Sequence, residues 1–155
     1  MKSTKKYLNR YRIACDELDS LTEEHDRIIS NIMTMTASYD GEGGGSGPTD
    51  KVGSGVAKLV DLCSEIDEEI KCYIAIRDDV RSVVREVMHE NIVLGQCLHY
   101  RYIMRWDPTV VALQMNYTDR QERNIHRKAL ECAQGVIDRR ETAKSFPHIS
   151  AAPVI

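Results

Sequence analysis

The chain has 155 residues, enough for one domain or two small ones, and its 42% hydrophobic and 29% charged content excludes an intrinsically disordered tract. One Phe and one Trp leave little of the aromatic bulk that a β-sandwich or α/β core is built on, so helices are favoured. The net charge of −3 excludes a uniformly basic nucleic-acid coat, but its distribution is uneven: residues 1–90 hold 12 Lys+Arg and 18 Asp+Glu, a net of −6, whereas residues 91–155 hold 9 and 6, a net of +3.

The first predicted element runs from about Thr4 to Ser38. Tyr7, Tyr11, Ala14, Leu18, Leu21, Ile28, Ile32 and Met35, with His25 in the one gap, follow a 4,3,4,3 spacing. That is a heptad stripe, the seam along which one helix packs on another. A second such stripe, from about Asp50 to Glu90, is carried by Val52, Val56, Leu59, Cys63, Ile66, Ile70, Tyr73, Val80, Val84 and Val87, with Arg77 as its polar member. Two heptad helices of matching length predict a long antiparallel, coiled-coil-like hairpin over 4–90, through which the chain would form a homo-oligomer. Residues 39–50 are Gly-rich and contain Pro48; they predict a flexible connector, and no Gly-Lys-Ser/Thr follows to make it a phosphate loop.

Residues 91–140 predict a separate C-terminal helix-turn-helix domain. Asp107-Pro108 opens a short helix, with Asp expected to accept from free backbone N–H groups and Pro preset for the first helical position. Thr118 and Gln121 have capping-box spacing and open a longer helix over 119–137 after a turn at Asn116-Tyr117. At 100° per residue, Ile125, Ala129, Ala133 and Val136 fall on one side and are expected to dock on Val110, Val111 and Leu113. Arg120, Arg123, Asn124 and Arg127, with Lys128 on the flank, fall on the other. Arg matches guanine O6/N7, Asn matches adenine N6/N7, and the remaining cations neutralise phosphates, so this face predicts contact with double-stranded DNA. Asp119 and Glu122 are expected to weaken the field there. Tyr100, Tyr102 and Trp106 are expected in the domain core, and residues 141–155 as a flexible tail.

Five cysteines (Cys15, Cys63, Cys72, Cys97 and Cys132) are odd in number and form no CxxC pair, which predicts buried free thiols rather than a disulfide framework or zinc site. No assembled acid, base, nucleophile or metal set is recognisable: His25, His89, His99, His126 and His148 lack ligand spacing, and Asp61, Glu65, Asp67, Glu68 and Glu69 read as a solvated helix face. The expectation is a non-enzyme without cofactor or metal. No apolar stretch approaches the roughly 20 residues of a membrane span, and the basic start is followed by no apolar run, so a cytoplasmic protein without a membrane partner is expected.

Leu98-His-Tyr-Arg-Tyr-Ile103, Trp106, Val111-Ala112, Met115-Asn-Tyr-Thr118 and Ile125-His-Arg-Lys-Ala-Leu130 resemble the region-4 helix-turn-helix of sigma factors, in the version found in phage proteins of the ArpU/RinA type. Lys6-Tyr-Leu and Tyr11 at the front, and Asp50-Lys51-Val52 after the Gly-rich stretch, extend the likeness over about residues 5–137. Asn116 replaces a turn Gly, Thr118 a Ser, Arg105 a Gly-like turn residue, and Val110-Val111 a more acidic pair. The resemblance implies a phage or prophage transcription regulator in the cytoplasm of a bacterial host, with host RNA polymerase as a further partner. Two alternatives stay open on the residues: a phage module that binds and inhibits a host protein, and a small-terminase-like DNA-packaging subunit.

Overall fold

The computed structural model describes residues 2–37 and 50–145, and among them the chain is all-α, with no strand. Five α-helices are present: α1 (Lys2–Ala37), α2 (Asp50–Glu90), α3 (Ile92–Leu98), α4 (Pro108–Gln114) and α5 (Asp119–Ser145). A π-helical turn, His99–Ile103, follows α3 directly and closes with Met104 N–H donating to His99 O at 2.9 Å. No described helix is long and apolar enough to cross a membrane. Most of the predicted 39–50 connector and residues 146–155 of the predicted tail lie outside the described residues. Residues 141–145 of that tail are the last turn of α5.

Two compact units are formed: Met1–Arg12 with Asp78–Ile155, and Ile13–Arg77. Their boundaries fall inside α1 and α2, whereas the sequence suggested a division at 90/91.

The Ile13–Arg77 unit is built on predicted heptad positions. Leu21 and Ile28 of α1 and Cys63 and Ile66 of α2 form its buried cluster, with Ile32, Leu59, Ile70 and Tyr73 packed against it, and Ile29, off the predicted stripe, packs there too. His25 lies at the seam edge, its Nε2 3.5 Å from Asp67 Oδ1. Met35, expected on the stripe, is exposed.

In the other unit α5 is central and packs on α3 and α4. Its buried residues are Glu122, His126, Ala129, Leu130, Ala133, Val136 and Ile137, which recur every three or four residues as one helix face must. Leu8, Tyr11, Val80, Val83, Val84, Val87, Cys97, Leu98, Val111 and Ala112 complete the core. Leu8 and Val83 are off the predicted stripes yet buried, and Thr4, a polar residue in the register of the first stripe, is buried too. The ends of α1 and α2 that belong to this unit meet α5 as well as each other: Thr4 hydrogen-bonds Gln134, and Glu86 accepts from Arg140 at 2.7 and 3.0 Å. A second neighbour buries a second helix face, which a heptad does not report. At Gly95 a Cβ would lie 2.3 Å from Met88 Cα, so only glycine permits the α3–α2 approach.

Tyr100, Tyr102 and Trp106 are half-buried rather than core. Tyr100 and Trp106 stack on one another with centroids 4.9 Å apart, leaving each a partly wetted face. The five cysteines are free as expected, but only Cys63 and Cys97 are buried; Cys72 is exposed.

Candidate nucleic-acid interface

The turn between α4 and α5 is fixed at both ends by backbone chemistry. Asn116 has φ 57°, a left-handed conformation that Asn enters more easily than most residues. Its N–H donates to Leu113 O at 3.1 Å, and Tyr117 N–H donates to Ala112 O at 2.8 Å. Those two bonds are a Schellman closure of α4, satisfying carbonyls that the helix end would leave free. One residue later Thr118 N–H donates to Gln121 Oε1 at 2.9 Å, and Gln121 N–H donates to Thr118 Oγ1 at 3.3 Å. The capping box predicted from the spacing is therefore formed in both directions. Three residues thus reverse the chain from one stopped helix into one started helix.

At the start of α4 the expectation holds in part. Pro108 occupies the first turn, but the Asp107 side chain makes no capping bond; its backbone carbonyl accepts from Val111 N–H at 3.0 Å. Docking also differs. Val111 and Ala112 are buried, whereas Val110 and Leu113 are exposed, Leu113 at 73%. Seven residues make fewer than two turns, so α4 turns only one stripe inward. Ile125 is half-buried.

Arg120, Arg123, Asn124, Arg127 and Lys128 are all exposed on α5. Their offsets put them in one band on the side opposite Ala129, Ala133 and Val136. Arg123 Nε donates back to Asp119 O at 3.2 Å, which bends that side chain along the helix. Glu131, exposed at the next turn, ends the basic band.

Beneath that band is a polar cluster for which the sequence offered no signal except position. Glu122 is 1% exposed and so is not on the basic face. Its Oε1 lies 3.4 Å from Arg101 Nη1 and accepts from Cys97 S–H at 3.8 Å. Arg101 Nη1 and Glu122 Oε2 have no hydrogen-bond partner, so the pair is an ion contact without full hydrogen-bond satisfaction. Arg101 Nη2 is 3.5 Å from His126 Nδ1, and His126 Nε2 is 3.1 Å from the Tyr102 hydroxyl. A guanidinium can only donate, so Nδ1 accepts and the proton of the neutral ring belongs on Nε2, facing Tyr102. Burial lowers the His126 pKa to about 4, with the charges of Arg101 and Lys5 adding to the effect. Burial also pushes the Cys97 thiol up to about 12, assisted by Glu122, and raises Tyr102. Such a thiol is a poor nucleophile at neutral pH.

The cluster therefore orients α5 on the π-helical turn instead of presenting a reactive group. Taking Glu122 inside has an electrostatic consequence: of the two acids expected to weaken the basic face, Glu122 is paired below it and Asp119 alone is exposed there. Among the described residues no group of three or more His, Cys, Asp or Glu is placed to hold a metal. No protein-family profile, no curated protein and no solved structure matches this chain.

Proposed function

We propose that α4, the Asn116–Thr118 turn and α5 act as a helix-turn-helix that binds double-stranded DNA, and that α5 is its reading helix. One observation carries the reading: a tightly closed turn sets α5 so that Arg120, Arg123, Asn124, Arg127 and Lys128 form one exposed basic band, while Glu122 is withdrawn from it. Arg and Asn in the first turns of such a helix suit base edges, and Lys128 suits a phosphate. Residues 13–77 are read as an antiparallel hairpin that brings copies together. Ile13, Met33, Val60 and Leu62, all exposed, support an assembly role. With the resemblance to sigma region 4, this makes the chain a phage or prophage transcription regulator.

The test is selection of duplexes from a random pool, followed by gel shifts of the selected DNA. Arg123→Ala with Arg127→Ala should weaken binding by at least about tenfold, on the scale of one lost base contact, with the fold intact by circular dichroism. An unchanged shift for that variant would remove α5 as the reading helix.

A second reading, a module that binds a host protein, is favoured by one feature. Val110 and Leu113 expose apolar side chains on α4, where a purely DNA-directed helix gains nothing from them. DNA affinity that is absent at low salt would favour it over the first.

A further inference from the structure

The unit that contains α5 also carries a groove of about 600 Å³ that no α5 residue lines. Its apolar part is formed by Val84 and Met88 of α2 with Tyr100 and Ile103 of the π-helical turn, and Arg81 and Arg85 of α2 stand beside it. The size is that of ordinary ligand-binding clefts.

Charge is what makes the groove specific. Three of the four acids of α2 in this unit are engaged on the side of the helix away from Arg81 and Arg85, and the fourth, Asp78, is exposed one turn before Arg81. Asp79 accepts from Tyr7 at 2.6 Å, Glu86 accepts from Arg140 at 2.7 Å, and Glu90 pairs with Arg139. No carboxylate lines the groove. Arg81 lies over the Tyr11 ring at 5.9 Å, and Arg85 makes no hydrogen bond or ion pair among the described residues. Both arginines are exposed. They are four residues apart, on one side of α2 and about 6 Å apart along its axis. Two guanidinium groups at that separation, beside an apolar floor, match carboxylates one helical turn apart on either side of an apolar side chain.

We propose that this groove docks a short acidic amphipathic segment of a partner protein. An apolar anchor seats against Val84, Met88 and Ile103, and two carboxylates pair with Arg81 and Arg85. The inference does not rest on the DNA reading, because the groove and the basic band share no residue.

The experiment is selection of a displayed random peptide library on the full chain. Anisotropy titrations of labelled enriched peptides follow, on the chain, on Arg81→Ala with Arg85→Ala, and on Arg123→Ala with Arg127→Ala. Enriched peptides should carry paired acids around an apolar anchor. Their affinity should fall at least about tenfold for the first variant, the scale of a desolvated charge pair, and stay unchanged for the second. Replacing the peptide acids by Gln should reproduce the loss. No enrichment, enriched peptides without acids, or equal binding to the first variant would overturn the proposal. So would concentration-dependent mass in sedimentation that Arg81→Ala with Arg85→Ala abolishes, since a second copy would then be the occupant. Thermal melts of both variants check that a loss is not unfolding.

Discussion

Glu122 and Arg101 are a buried ion pair that is only partly hydrogen-bonded, and each is held inside by the other. Removing one partner strands a charge. Arg101→Met or Glu122→Leu alone should therefore destabilise the chain by about 3 kcal/mol, whereas the two together should cost much less or nothing. Urea denaturation of the two single variants and the double checks this, and additive losses would contradict it. His126 gives a pH signature. Its folded pKa of about 4 is below the ordinary 6.5, so the unfolded chain binds the proton more readily. Stability from this group is full above pH 6.5 and declines as the pH falls toward 4, by an order of magnitude of 3 kcal/mol over that window. His126→Gln should flatten the urea midpoint between those pH values. If the variant and the parent decline in parallel, His126 is not the sensor.

Elements show which residues the sequence made legible. The cap at Thr118 and the left-handed turn at Asn116 are local: they depend on neighbours within five residues, and the spacing announced them. Thr118→Ala should cost about 1 kcal/mol of stability. Asn116→Val should cost about 1–2 kcal/mol because a β-branched residue resists positive φ, and Asn116→Gly should not. The heptad positions Leu21, Ile28, Cys63 and Ile66 were equally legible, since two helices pairing along one seam leave a period in the sequence. Leu8 and Val83 were not, because they lie off the two heptad stripes, and the partner of buried Thr4, Gln134 of α5, is 130 residues away in sequence. Glu122 and His126 were invisible for a related reason. A charged or polar side chain reads as surface unless its partner is known, and Arg101 and Tyr102 are more than twenty residues upstream. Gly95 is a third case. Only the path of α2 past α3 shows that Gly95→Ala would meet the Met88 backbone; thermal melts should show a loss of about 1–3 kcal/mol for it.

Across the whole molecule, charge is sorted by element. Residues 1–90 are acidic in sum and residues 91–155 basic, yet α2 presents Arg81 and Arg85 to a groove while its Asp79, Glu86 and Glu90 engage Arg139 and Arg140 of α5. The basic band of the candidate interface was predicted residue by residue from helical projection, and all five of its members are exposed on one side of α5. What projection missed was the anchoring beneath the band, which is tertiary. The proposed function stands on that band meeting DNA. The most direct measurement is a set of binding isotherms on the selected duplex and on a shuffled duplex of equal length, at salt between about 50 and 200 mM. The selected duplex should bind about a thousandfold tighter, affinity should fall steeply with salt, and Lys128→Ala should lower the salt slope by about one. Equal affinity for the two duplexes, or no binding to either at the lowest salt, would contradict it.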